Sequence, residues 1–147
     1  MQQMTLQRFL SAQETAYPGA LEEIKAGRKE GHWMWFVFPQ LRGLGQSNTA
    51  WYYGIETLEE AKAYLAHPVL GGRLRQISGE LLKLPEKDAA RIFGWIDAMK
   101  LRSCMTLFSK ADSAEPVFRQ VLDKFFRGES DPATLALLKE SGCLPGM

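Results

Sequence analysis

The chain has 147 residues, 46% hydrophobic and 24% charged, with 18 Lys and Arg against 17 Asp and Glu for a net charge of +1. That length fits one domain, residues 1–147, able to bury roughly 70% of its unfolded surface, and the composition excludes a disordered chain. Balanced charge with no run of one sign excludes bulk attraction to nucleic acid or to an anionic membrane.

Thr5 reads as an N-cap to a helix through Tyr17, with Leu6, Phe9, Leu10 and Gln13 at helical spacing. Pro18 begins a second helix that carries Leu21 and Ile24 and stops near Gly27. Trp33 to Phe38 then sets two Trp, two Phe, a Met and a Val in consecutive positions. Four aromatics at roughly 150–250 Å² each place this segment inside the protein, as a buried strand or a buried helical turn. Gly43 and Gly45 open a turn, and Ser47 caps a short helix through Tyr52.

Thr57-Leu-Glu-Glu60 is a capping box, starting a helix that ends before Pro68. Pro68 starts another, with Val69, Leu70, Leu74, Ile77, Leu81 and Leu82 facing inward until Pro85 breaks the chain. Ile92 to Phe108 reads as one central helix with Ile96, Met99, Leu101, Met105 and Leu107 on a wide apolar face. Ser113 caps the next helix, which ends at Gly128; Asp131-Pro132 begins the last, which Gly142 closes. Nothing alternates with period two. The fold class is therefore all-α, one domain of about seven or eight helices, with room for one short irregular or extended segment at 33–38.

Two cysteines, Cys104 and Cys143, stand in unlike settings with no CxxC pattern, and read as reduced thiols. The first ten residues lack the apolar core of a signal peptide, and no apolar run approaches a membrane span of ~20 residues, so a cytoplasmic location is expected. His32 and His67 stand alone, without Cys or further His at ligand spacing, and neither a metal nor a cofactor is expected.

The candidate chemistry gathers around the aromatic block. His32 is a candidate general acid or base. Asp97 and Lys100, three apart, share a helix face and join it as candidate catalytic residues. Trp33 and Trp35 would wall a pocket to which Gln40 adds a polar contact. Arg42, Gly43, Gly45 and Ser47 form a loop able to receive an anion, although a plain tight turn explains the glycines as well. His67 ends one helix, where the dipole favours its protonated form, and Arg73 follows a turn into the next. Ser103 is as easily a packing residue as a ligand contact. Trp33, Trp35, Trp51 and Trp95 together read as core rather than as a stacking surface.

His32-Trp-Met-Trp-Phe-Val-Phe-Pro-Gln-Leu41 with Gly43-Leu-Gly45 and Ser47 resembles the signature of the bacterial family of unknown function numbered 1810. Similar stretches are Glu60-Ala-x-Ala-Tyr-Leu-x-His-Pro-x-Leu-Gly71 with Arg73-Leu74, Asp97-x-x-Lys-Leu101, Ser103 to Phe108, Leu6-x-Arg-Phe9 and Asp131-x-x-Thr-Leu135. The resemblance implies an all-helical single domain and supplies no activity. Some members bear the label calpastatin, a disordered, repeated inhibitor unlike this chain. Cys104 stands where that pattern usually has a second serine.

Two functions follow as expectations. One is a polar pocket beside residues 32–40 that binds a small anionic or nucleotide-like ligand, with hydrolysis or group transfer as its catalytic form. The other is a non-catalytic interaction module or homodimer. Neither a nucleic-acid nor a membrane partner is expected.

Overall fold

The computed structural model describes residues 2–140, with side chains from Leu6 onward. Gly142 and Cys143, expected as a helix stop and a reduced thiol, lie outside the described residues. Among these residues the chain forms nine helices and no strand. The class is all-α, as expected, with more helices than the seven or eight anticipated.

Helix α1 (Gln2–Lys25) starts before Thr5 and runs straight through Pro18. Leu6, Phe9, Gln13, Tyr17, Ala20 and Ile24 are all buried, a stripe with spacings of three and four that continues on both sides of the proline. An interior proline costs about 3 kcal/mol. Each large buried side chain contributes roughly 1.5–3 kcal/mol, so the shared stripe outweighs the break. Pro18 itself is exposed.

The aromatic block resolves as one helical turn, α2 (Met34–Val37). Val37 N–H donates to the Trp33 carbonyl and Phe38 N–H to that of Met34, each at 3.1 Å. The chain then extends. Ile55 N–H reaches the Gln40 carbonyl at 2.9 Å and Arg42 N–H the Ile55 carbonyl at 2.8 Å, an isolated parallel bridge. Between its two sides lies α3 (Asn48–Tyr53), capped by Ser47.

Helix α4 (Leu58–Ala66) is capped by the Thr57 hydroxyl. Glu60 completes only part of a capping box: its carboxylate accepts from Glu56 N–H at 2.7 Å. Helix α5 (Pro68–Lys83) begins with proline in its first turn, as expected, although Val69 is exposed.

The expected single helix from Ile92 is two, α6 (Ala89–Phe93) and α7 (Trp95–Ala111). Gly94 divides them at φ +84°, a left-handed conformation that only glycine adopts without strain. The break turns Ile96 out to solvent. Leu101, Cys104, Met105, Leu107 and Phe108 are completely buried, and α7 packs against α4, α6, α8 (Pro116–Phe126) and α9 (Pro132–Glu140). Glu115, rather than Ser113, caps α8, because Pro116 takes the first helical position. No described helix is long and apolar enough to cross a membrane.

Candidate functional site

The residues expected to surround one pocket separate into two groups. The first is a ladder of charge and indole beside α2. Lys29 Nζ lies 2.8 Å from one Asp97 carboxylate oxygen, and Lys100 Nζ lies 3.0 Å from the other. Each lysine also rests on a tryptophan, Lys29 on Trp33 at 5.0 Å and Lys100 on Trp35 at 4.0 Å. The Trp33 indole N–H donates to Glu23, which also accepts from the backbone of Glu30 and Gly31.

Burial alone would raise the Asp97 carboxyl, but hydrogen bonds and charge from Lys29 and Lys100 outweigh it and hold it below its ordinary value. Burial likewise raises Glu23, and its two backbone donors, the Trp33 indole and Lys29 pull it lower overall. Asp97 is thus kept ionised as the anchor of two cations. Besides pairing with Lys100 it lines a shallow depression with Phe93, Gly94, Trp95 and Ile96. His32 is exposed on the loop before Trp33.

The remaining expected residues serve local structure. Gln40 gives its backbone carbonyl to the bridge. Gly43 turns the chain at φ +107°. A side chain on Gly45 would meet Ala50 Cβ at 2.6 Å and the Trp35 ring at 3.1 Å, so its glycine allows α3 to pack on Trp35. Ser47 accepts from Ala50 N–H as a cap. His67 Nδ1 accepts from the N–H groups of Val69 and Leu70 at 3.1 and 3.3 Å. Through that nitrogen the imidazole caps α5. Arg73 donates to the buried Gln13 amide at 3.3 Å. Ser103 Oγ lies 3.1 Å from the Met99 carbonyl and 3.2 Å from Asp131, tying α7 to the start of α9.

The second group is a cleft of about 620 Å³ between α1 and the segment from α3 to α4. Of the expected residues, Arg42 lines it. Arg8 crosses from α1 and is held on three sides: by the Tyr52 carbonyl at 2.7 Å, the Gly54 carbonyl at 2.9 Å and Glu60 at 3.2 Å. This clamp fixes the backbone that carries Trp51 and Tyr52, whose side chains are 62% and 52% exposed. Trp51 and Trp95 were expected in the core. The Ser47 cap sets the register of α3 so that Ala50 faces inward and the two following aromatics face out.

The Arg42 guanidinium carbon lies over the Trp51 ring, 4.2 Å from its centroid, with Nε donating to the Trp51 carbonyl at 2.9 Å and Nη1 3.5 Å from Glu56. Tyr53 lines the cleft as well, its hydroxyl pKa raised mainly by burial. Gln7 and Ser11 of α1 form the opposite wall. Among the described residues no group of His, Cys, Asp and Glu could hold a metal ion.

The family described as "Protein of unknown function (DUF1810)" matches residues 3–138. The chain belongs to the DUF1810 family. It is 50% identical to the conserved hypothetical protein Rv1873 from Mycobacterium tuberculosis, whose crystal structure superposes with a TM-score of 0.89 over 91% of this chain and 96% of that one. Comparison with curated proteins gives no match.

The Cys104 thiol is fully buried on α7 and burial pushes its pKa well up, so it acts as a small apolar group. Arg8 and Glu60 lie in two of the stretches that carry the DUF1810 resemblance, Leu6 to Phe9 and Glu60 to Gly71. Their meeting could not be read from spacing, because 52 residues separate them. Lys29 and Glu23 were missed for the same reason: only the folded loop brings them to Asp97 and Trp33.

Proposed function

We propose that this DUF1810 protein binds a small nucleotide-like ligand in the cleft between α1 and the α3–α4 segment. A ring would rest against Trp51 and Tyr52, with anionic or carbonyl oxygens on Arg42. The observation that carries the reading is a pair of adjacent, largely exposed aromatics on a backbone clamped by Arg8, beside a guanidinium that keeps unpaired donors. Among the described residues, Nη2 of Arg42 has no protein partner.

Large exposed apolar side chains in one place mark a binding surface. The cleft volume falls in the range of about 300–1,000 Å³ common to small-ligand sites. A rigid shelf reduces the ordering cost of binding. The indole and guanidinium are also the groups best suited to stacking and to bidentate contact with oxygen acceptors.

Thermal-shift screening against nucleotides, sugar phosphates and ADP-ribose derivatives tests the reading. Stabilisation by at least one nucleotide that Arg42→Ala and Trp51→Ala both lose supports it; no stabilisation by any compound contradicts it. The reading is of binding. A hydrolase or transferase form would draw on His32, Asp97 and Lys100, and the two lysines that hold Asp97 ionised suit it to anchoring rather than to proton donation.

A second reading, an interface with another protein chain or a second copy, draws on Trp95 and Ile96. They are 71% and 69% exposed on the first turn of α7. A dimer in sedimentation that Trp95→Ser dissolves would favour it; a monomer at all concentrations would not.

A further inference from the structure

The groups along the cleft rim that the fold holds least tightly define its preferred ligand. Arg8 and Glu60 serve the scaffold: one guanidinium holds two carbonyls and a carboxylate, and Glu60 also accepts from Glu56 N–H. Glu56 is held differently. Its backbone is fixed by that bond, while its carboxylate is 67% exposed and meets Arg42 Nη1 at a loose 3.5 Å. Arg42 in turn is anchored by its own N–H on Ile55 and its Nε on Trp51. The rim therefore sets an acceptor-only group beside a donor-only group, next to an exposed indole.

A carboxylate is best satisfied by two parallel N–H donors. Guanine alone of the common nucleobases has two adjacent N–H donors on one edge, at N1 and at the exocyclic N2, followed by the O6 acceptor. Adenine offers a ring acceptor beside its amino group, cytosine does the same, and uracil offers a single N–H between two carbonyls. Resting on the binding function proposed above, we infer that the cleft selects guanine nucleotides. Glu56 accepts from N1–H and N2–H, Arg42 donates to O6, and the ring lies against the Trp51–Tyr52 shelf.

Calorimetric titration of the wild type and Glu56→Gln with GMP, IMP and AMP tests this. GMP is expected to bind at least about tenfold more tightly than AMP, as for a good bidentate base contact. IMP, which keeps N1–H and O6 but lacks the N2 amino group, falls between. Glu56→Gln brings the three within a few-fold of each other while binding persists, and its unfolding midpoint reports that the exposed substitution leaves the fold intact. Equal affinities in the wild type, or a GMP preference that survives in Glu56→Gln, overturn the inference and leave the broader binding function standing. Failure of all three nucleotides to bind overturns the inference, and the binding function falls with it only when no compound of the wider screen stabilises the protein.

Discussion

Arg8→Met removes the clamp that joins α1 to the α3–α4 segment. The guanidinium donates to the carbonyls of Tyr52 and Gly54 and pairs with Glu60, and the side chains of Arg8 and Glu60 are only 9% and 7% exposed. Breaking a buried ion pair by removing one partner costs about 3–5 kcal/mol, because the other charge is left buried. The lost carbonyl contacts belong to the same group and are contained in that range rather than added to it. For a domain of this size, each kcal/mol lowers Tm by roughly 2–4 °C, so a fall of roughly 6–20 °C is expected. Urea unfolding followed by tryptophan fluorescence measures the free energy directly. Arg8→Met combined with Glu60→Gln should be more stable than the sum of the two single changes, since no carboxylate remains stranded. A loss below about 1 kcal/mol for Arg8→Met, or strict additivity in the double variant, would refute the clamp.

Gln13→Leu should destabilise the protein by about 2–3 kcal/mol in chemical denaturation. The buried amide donates to the Phe36 carbonyl at 2.7 Å and to the Tyr64 hydroxyl at 3.0 Å, and leucine leaves them unpaired. Gly54→Ala should cost about 1–3 kcal/mol or more and weaken ligand binding, because its methyl would lie 2.6 Å from Arg42 Cα and 2.9 Å from the Ala50 carbonyl. The acid limb of stability should depend on Asp97. Its folded pKa lies below its unfolded value of 3.8, so its contribution is complete above that value and is lost as pH falls through the folded one. Tm measured from pH 7 to pH 2 should fall less steeply for Asp97→Asn than for the wild type; identical slopes would dismiss the lysine–aspartate ladder as a source of stability.

Features set by neighbours in sequence were legible before the structure. The Thr57 cap, the proline that opens α5 and the Asp131-Pro132 start each depend on a few adjacent residues. Features decided by tertiary packing were not. The Pro18 break failed because one apolar stripe continues on both sides of it, and the helix from Ile92 divided because Gly94 adopts a positive φ. Residues 33–38 carry no periodicity, so only the structure distinguishes a helical turn from a strand.

The site divides along the same line. Asp97 and Lys100 lie on one helix and their pairing followed from spacing. Arg42 came forward through its loop, but its cleft depends on Arg8, which reaches carbonyls 44 and 46 residues away. Trp51 and Trp95 show the limit most directly. Apolar character alone placed them in the core, yet helix register turns both to solvent.

The central claim is that Trp51 and Arg42 form the ligand surface. Four tryptophans give four indole N–H resonances, and Trp51→Phe assigns the relevant one. Titration of the isotopically labelled protein with GMP should shift the Trp51 indole and the Arg42 Nε–H signals in a saturable manner and leave the Trp33 indole in place. Saturable shifts at Trp33 and Trp35 with Trp51 unmoved, or no shift at any nucleotide concentration, would contradict the account.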